Sequence, residues 1–344
     1  MKMRLAIAGV GNNASALAQG LAYYGTDRGK HLPGVSRPTV SGIRVTEVEI
    51  VAAFDVADNK VGRPLSEAVF AAPNNYPLLG VTLGGPDPVV AAGIRDPADA
   101  QQLRSVSAEL ERHGVEVLLY SLPTGIPAIA RAYAEAALAA GVAVVNCTPD
   151  PIANLPELLA DATARGIPLI GDDLQSHFGS SVVHGALLAL FESRGIALHG
   201  SYQLNCGGNA DFANLRQHGE GKESSKHNAL RQKVKDTSKV TVVPSAGFVA
   251  HLEDRKVGLM SFEGLGWANM PIKLDVTLQV FDSSNAAGVI VDLIRIAAGA
   301  RRRNDGGFAI AATPLLKSPP AVDPRRQAEQ AHELLAALSR EGDQ

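Results

Sequence analysis

The feature that most constrains this chain lies at its start. Leu5-Ala6-Ile7-Ala8 is a short apolar run, Gly9-Val10-Gly11-Asn12-Asn13-Ala14 follows it, and residues 15–24 have helical character. Strand, glycine turn and helix in that order form the G-x-G-x-x-A fingerprint of a dinucleotide-binding unit in its proper context. The first glycine permits the tight turn. The second lets the backbone approach a pyrophosphate at the positive end of the helix. Glycine turns are common, so the motif alone is weak. The next strand supports it: residues 48–54 are apolar-rich and end in Asp55, where a carboxylate can bind an adenosine ribose hydroxyl. Asp55 arrives after about twice the usual gap, because residues 25–42, rich in Gly, Pro, Ser and charge, read as an inserted loop. A helix N-cap is the alternative reading of Asp55.

More strand–helix units follow. Residues 115–120 read as a strand ended by Ser121-Leu122-Pro123-Thr124-Gly125, 128–140 as an alanine-rich helix, and 142–146 as a strand ended by Cys147-Thr148-Pro149. Leu169-Ile170-Gly171 leads into Asp172-Asp173. This alternation predicts a parallel doubly wound sheet with ligands at the strands' carboxyl ends. After about residue 180 the texture changes. Residues 199–205, 239–243, 256–262 and 272–281 read as strands of a second, more antiparallel region, 286–300 as a long apolar helix, and 323–340 as an amphipathic one.

Composition narrows the class. With 46% hydrophobic and 19% charged residues the chain is not mostly disordered. No apolar run reaches the roughly 18 residues of a membrane helix, so no membrane association is expected. The opening MKMRLAIAGVGNN runs into the glycine turn rather than a signal-peptide cleavage site, so a cytoplasmic protein is expected. A net charge of −3 gives no basic excess to grip nucleic acid. Cys147 and Cys206 make neither a disulfide framework nor a zinc site. His177, His227 and His251 fit no metal spacing, so no protein-bound metal is expected. Lysines are unevenly spread: of 11, seven (222, 226, 233, 235, 239, 256 and 273) fall in one stretch. Lysine is a compact charge that can hold phosphate or move protons. For Lys233, Lys235 and Lys239 a solvated surface is the plainer reading.

Several further runs, taken in order, resemble one family: the myo-inositol-1-phosphate synthases, in their compact bacterial form. They are Gly9-Val10-Gly11-Asn12-Asn13-Ala14-Ser15, Val51-Ala52-Ala53-Phe54-Asp55-Val56, Asn74-Asn75, Gly171-Asp172-Asp173, Leu204-Asn205-Cys206-Gly207-Gly208-Asn209-Ala210-Asp211-Phe212, Asp254-Arg255-Lys256, Asp282-Ser283-Ser284-Asn285 and Leu316-Lys317-Ser318-Pro319-Pro320. The resemblance runs over nearly the whole chain. It implies an α/β protein: an NAD-binding Rossmann domain (1–177 plus 290–344) with an inserted α+β catalytic and tetramerisation domain (178–289). It implies NAD as cofactor, a hexose 6-phosphate as substrate and a homotetramer.

In such enzymes C5 of the sugar is oxidised, C6 is enolised, an intramolecular aldol step closes a carbocycle, and C5 is reduced again. Ammonium groups in a dry site are suited to the enolate and alkoxide charges. The resemblance places four such groups. Lys226, Lys256 and Lys317 would hold the phosphate and oxyanions, and Lys222, one helical turn from Lys226, would shuttle the C5 hydroxyl proton. Asp173 and Asp211 match site carboxylates able to orient the lysines and relay a proton. Asn209 matches a residue supporting the sugar hydroxyls. For the cofactor, the resemblance implies Gly9, Gly11, Asn12, Asn13, Asp55, Ser121, Pro123, Asp172, Asp282 and Ser283, with Asp282 close to the nicotinamide. The aspartates Asp173, Asp211 and Asp282 could each instead cap a helix or turn.

Departures from the bacterial pattern gather near the presumed substrate. The family's lysine two residues after Asp173 is here Gln175, His227-Asn228 replaces Thr-Gln after Lys226, Val257-Gly258-Leu259-Met260 lacks the family's aromatics, and Phe178 replaces an aliphatic residue. Conversion of glucose 6-phosphate to myo-inositol 1-phosphate is the first expectation. The alternative is fructose 6-phosphate closed to a five-membered cyclitol phosphate, a precursor suited to a carbocyclic nucleoside. A net NAD-dependent sugar-phosphate dehydrogenase ranks lower, and a non-catalytic NAD-binding regulator would not need four lysines.

Overall fold

The computed structural model describes residues 2–215, 220–234, 236–320 and 324–340. In chain order it contains β1 (Met3–Ala8), α1 (Asn12–Tyr24), β2 (Thr39–Val40), β3 (Ile43–Arg44), β4 (Val48–Asp55), α2 (Leu65–Ala68), β5 (Ala91–Ala92), α3 (Ala100–Arg112), β6 (Val117–Tyr120), α4 (Pro127–Ala139), β7 (Ala143–Asn146), α5 (Pro156–Ala164) and β8 (Leu169–Ile170). Then follow α6 (Ser180–Ser193), β9 (Ala197–Gly207), α7 (Ala210–Leu215), α8 (Glu220–Arg231), β10 (Val240–Phe248), β11 (Arg255–Leu265), β12 (Pro271–Phe281), α9 (Asp282–Arg302) and α10 (Pro324–Arg340).

The first layer system is a parallel sheet in the order β5-β4-β1-β6-β7-β8. Its strands are mostly apolar because both faces are covered. Within β1, Leu5 and Ile7 pack on α1 and α9 through Leu17, Ile290 and Leu293. Ala6 and Ala8 belong to the opposite core, with Val106, Leu110, Tyr133 and Leu158 of α3, α4 and α5. The expected Rossmann architecture is therefore present. Sequence reading passed over α3, whose mean hydropathy is low because only Val106 and Leu110 along it are buried.

The loop over 25–42 is held by one buried cation. Arg295 on α9 is fully buried and donates to the carbonyls of Arg37, Pro38, Ile43 and Val291 and to Asp292 Oδ1 at 2.6 Å. Arg37 donates to the other Asp292 oxygen at 2.9 Å.

The second sheet runs β10-β9-β11-β12. β11 is antiparallel to both neighbours, but β9 and β10 are parallel, because the chain crosses between them through α7 and α8. One face packs on α6 and α8 through Leu188, Phe191, Leu230, Met260 and Phe262. The other leaves Tyr202 and Leu259 exposed. α9 starts at Asp282, directly after β12, so the chain rejoins the first core ahead of residue 290.

Candidate active site

A cavity of about 410 Å³ opens at the carboxyl ends of the parallel strands, between the two sheets. At one end lies the glycine turn. Gly9 has φ +99°, and a Cβ there would stand 2.6 Å from the Ser121 carbonyl oxygen, so only glycine fits. Gly11 has open space where a Cβ would lie and caps α1 without a side-chain bond, leaving the helix's first N–H groups toward the cavity. Asn13 Nδ2 donates to Ser121 Oγ at 3.0 Å. Asn12 braces the turn: its Oδ1 accepts from Asn75 N, and its Nδ2 donates to Asn75 Oδ1 and Asp254 Oδ1.

Asp55 ends β4 and is held by backbone. Its Oδ2 accepts from Val10 N at 2.8 Å and its Oδ1 from Val56 N and Ala57 N. Lys60 Nζ lies 4.0 Å from Asp55 Oδ2 and donates to Val10 O at 2.7 Å and Asn74 Oδ1 at 3.1 Å. Burial holds the Lys60 ammonium below its ordinary pKa, with Asp55 opposing.

At the other end, residues 172–175 and 315–318 form a short antiparallel ladder. Ser318 N donates to Asp172 O, Lys317 N to Asp173 O and Gln175 N to Leu315 O. The ladder sets Lys317 Nζ 2.9 Å from Asp173 Oδ2, which also accepts from Ser225 Oγ of α8 at 2.7 Å. Asp173 has φ +57°, a conformation rare outside glycine. Lys226, one residue along α8, is 4% exposed and lines the cavity. From the second sheet, Lys256 Nζ lies 3.0 Å from Asp282 Oδ1 and 5.6 Å from the centre of the Phe212 ring. Asn209 Nδ2 lies 3.4 Å from Asp282 Oδ2.

Of the residues singled out from sequence, Gly9, Gly11, Asn12, Asn13, Asp55, Ser121, Pro123, Asp173, Asn209, Asp211, Lys226, Lys256, Asp282, Ser283 and Lys317 line this one cavity. Asp172 does not. Its carboxylate accepts from the backbone N–H groups of Ile152, Ala153 and Asn154 and the side chains of Asn146 and Asn154, so it shapes the loop after β7. Lys222 lies in α8, but its side chain falls outside the described residues.

Several lining groups escaped sequence reading. Lys60 is the only lysine between Lys30 and Lys222, which was a usable signal. Gly179, Ser180, Ser181 and Val182 form the start of α6, which has no side-chain cap; the signal was Gly-Ser-Ser before an apolar run. Behind Ser180 a polar chain runs inward. Ser180 Oγ donates to Asn205 Oδ1, Gln203 Nε2 donates to Ser180 Oγ, and His184 meets Gln203 Oε1 and Ser201 Oγ. Burial pushes His184 down to about 4, so the ring is neutral at pH 7.

One more acid and one thiol stand at the site. Asp254 accepts from Ser283 N and Oγ and is pushed up to about 6, mainly by burial, with the Asp282 charge adding to it. Cys147 lines the cavity, but burial and the Asp173 charge push its thiol up, so it is a neutral wall rather than a nucleophile.

Comparison with known proteins points one way. A family model described as myo-inositol-1-phosphate synthase matches residues 179–283. Inositol-3-phosphate synthase of Mycobacterium tuberculosis is 39% identical over 338 residues, covering 93% of this chain and 91% of that one. The crystal structure of Ari2 superposes with a TM-score of 0.87 at 51% identity, covering 99% of this chain and all of the other. A myo-inositol-1-phosphate synthase-related protein from Thermotoga maritima shares the fold, with a TM-score of 0.80 at 22% identity over 98% of this chain and 99% of its own.

Proposed function

Because this chain belongs to the myo-inositol-1-phosphate synthase family, we propose that it closes a hexose 6-phosphate into a cyclitol phosphate without net oxidation. The observation that carries the reading is the convergence of the glycine turn with Lys226, Lys256 and Lys317 in a single cavity. NAD fits the first end: Gly9 and Gly11 leave room for its pyrophosphate, α1 offers uncapped N–H groups, and Asp55 stands where a ribose hydroxyl is met. Bound there, NAD supplies an oxidation at C5 that is reversed before the product leaves.

The remaining chemistry falls to this chain's side chains. With C5 a ketone, the C6 proton is acidified. Lys226 and Lys256 stabilise the enolate and the alkoxide that follows, and Lys317 joins them in holding the phosphate. The start of α6 adds N–H groups for that phosphate. Asp173 and Asp282 orient Lys317 and Lys256 through the pairs described above, Asp211 relays a proton, and Asn209 supports a sugar hydroxyl. Lys222 shuttles the C5 hydroxyl proton. Folding the acyclic sugar head to tail is the positioning task of the cavity.

The first reading is glucose 6-phosphate closed to an inositol phosphate, and the name inositol-3-phosphate synthase carried by the relatives supports its product. A second reading, fructose 6-phosphate closed to a five-membered ring, is favoured by Gln175. A buried neutral amide stands there in the cavity wall where the family pattern has a lysine. Phosphorus and carbon NMR of the product, with NAD and each isomerase-free sugar in turn, tests both. A six-carbon ring from glucose 6-phosphate supports the first and a hydroxymethyl-bearing five-carbon ring from fructose 6-phosphate the second. Stoichiometric NADH release, or no product from either sugar, refutes both. The exposed sheet face around Tyr202 and Leu259 is the surface we assign to homotetramer contacts, checked by light scattering.

A further inference from the structure

Gln175 is 4% exposed, and it lines the cavity beyond the edge strand β8, at the opposite side of the sheet from β4 and Asp55. Its backbone is fixed by the ladder that sets Lys317 beside Asp173. Its Oε1 is buried and has no hydrogen-bond partner among the described residues. A buried carbonyl left unmet is costly, so most such groups in folded proteins are satisfied. Turning this amide toward a ligand sacrifices no bond at Oε1.

The neighbours decide what it can meet. Lys226 and Lys317 only donate. The Asp173 carboxylate is engaged by Lys317 and Ser225, and that of Asp282 by Lys256. A polyhydroxylated ligand brings O–H donors, and each needs an acceptor once water is excluded. Gln175 is a neutral acceptor in the cavity that Lys226, Lys256 and Lys317 also line, and an amide can accept from a hydroxyl where a lysine cannot. It stands with the substrate groups rather than with the glycine turn, which makes the cofactor the less fitting partner.

We propose that Gln175 is a specificity-determining residue that accepts a hydrogen bond from a hydroxyl of the sugar phosphate, and that it sets the preference between aldose and ketose 6-phosphates. The inference rests on the cyclisation reading above. Sites built to bond a substrate hydroxyl discriminate far more sharply than apolar pockets.

The test compares wild type, Gln175→Met and Gln175→Lys. The readouts are kcat/KM for glucose 6-phosphate and fructose 6-phosphate, NAD affinity by calorimetry, and Tm with and without each ligand. Gln175→Met keeps the length and removes the acceptor. It should raise KM for the preferred sugar about 10- to 100-fold, leave NAD affinity within about twofold, and not lower the Tm of the free protein, because an unmet group has been removed. Gln175→Lys should shift the ratio of kcat/KM between the two sugars by about tenfold or more. A fall in Tm with equal losses for both sugars would show a structural role and overturn the proposal. So would weakened NAD binding with an unchanged sugar KM. Failure of wild type to turn over either sugar would instead refute the cyclisation reading itself.

Discussion

At the glycine-turn end of the cavity, Asp55 gives its carboxylate to three backbone N–H groups, all within the strand–turn segments around β1 and β4. At the other end Asp173 gives its carboxylate to Lys317 and Ser225, 144 and 52 residues away in sequence. Lys256 and Asp282 likewise join the second sheet to α9. The first end rests largely on backbone, with the buried Lys60 beside Asp55. The second is an assembly of buried charges from remote segments, and removing one member takes a partner from another. Shape is cheap to keep at one end and charge balance is hard to keep at the other.

The sharpest way to break this contrast is Lys317→Ala. It leaves the Asp173 carboxylate buried with only Ser225 among the two partners named, and should cost about 3–5 kcal/mol of stability in urea unfolding. The double variant with Asp173→Ala should recover part of that loss. If Lys317→Ala is nearly neutral, the second end is not charge-balanced as described.

Lys226→Ala should lower the rate of product formation by about 10²- to 10³-fold while NAD binding, followed by calorimetry, stays nearly unchanged. Loss of NAD binding would mean that the two ends are not separable. Asp55→Ala should act the other way round, weakening NAD by about tenfold, or about 1.4 kcal/mol, and leaving the sugar phosphate untouched. Equal weakening of both would remove Asp55 from the cofactor's contacts.

The smallest net effect is the wild type's own pH dependence, because two buried groups work against each other. Asp254 is raised from 3.8 to about 6, so the folded state holds its proton more tightly. That contribution is complete below about 4 and is lost as pH rises through about 6. His184 is lowered from 6.5 to about 4, so its contribution is complete above 6.5 and is lost as pH falls through about 4. Between these limits the two slopes oppose. The stability gap between wild type and Asp254→Asn should shrink as pH rises from 4 to 6, and the gap to His184→Gln should widen. Parallel pH profiles for all three would show that burial displaces neither group.

The same contrast explains what the sequence could reveal. The glycine turn and the strands at 48–54 and 142–146 were legible because their signals are local: a small-residue turn and short apolar runs. The strand at 239–243 was found, but not its parallel pairing with β9, which depends on a crossover through α7 and α8. α6 went unread because its run from Ser180 to Ser193 is apolar on more than one side, packing on α8 and lining the cavity at its start. At the substrate end, Lys226, Lys256 and Lys317 could be gathered from sequence only through family resemblance, since no local pattern says that 173 and 317 are neighbours. Asp172 shows the limit of that route: a motif aspartate whose carboxylate serves the loop at 152–154.

The junction of β12 and α9 has a mechanical side. No residue intervenes between Phe281 and Asp282, and Lys256 on β11 is fastened to that first helical residue. The strand and helix therefore act as one splint. Its sheet half carries the open face around Leu259, through the β11–β12 pairing, and its helix half lies against α1 in the first core. A load placed on the outer sheet has a continuous, stiff path to the helix whose leading turn faces the glycine loop.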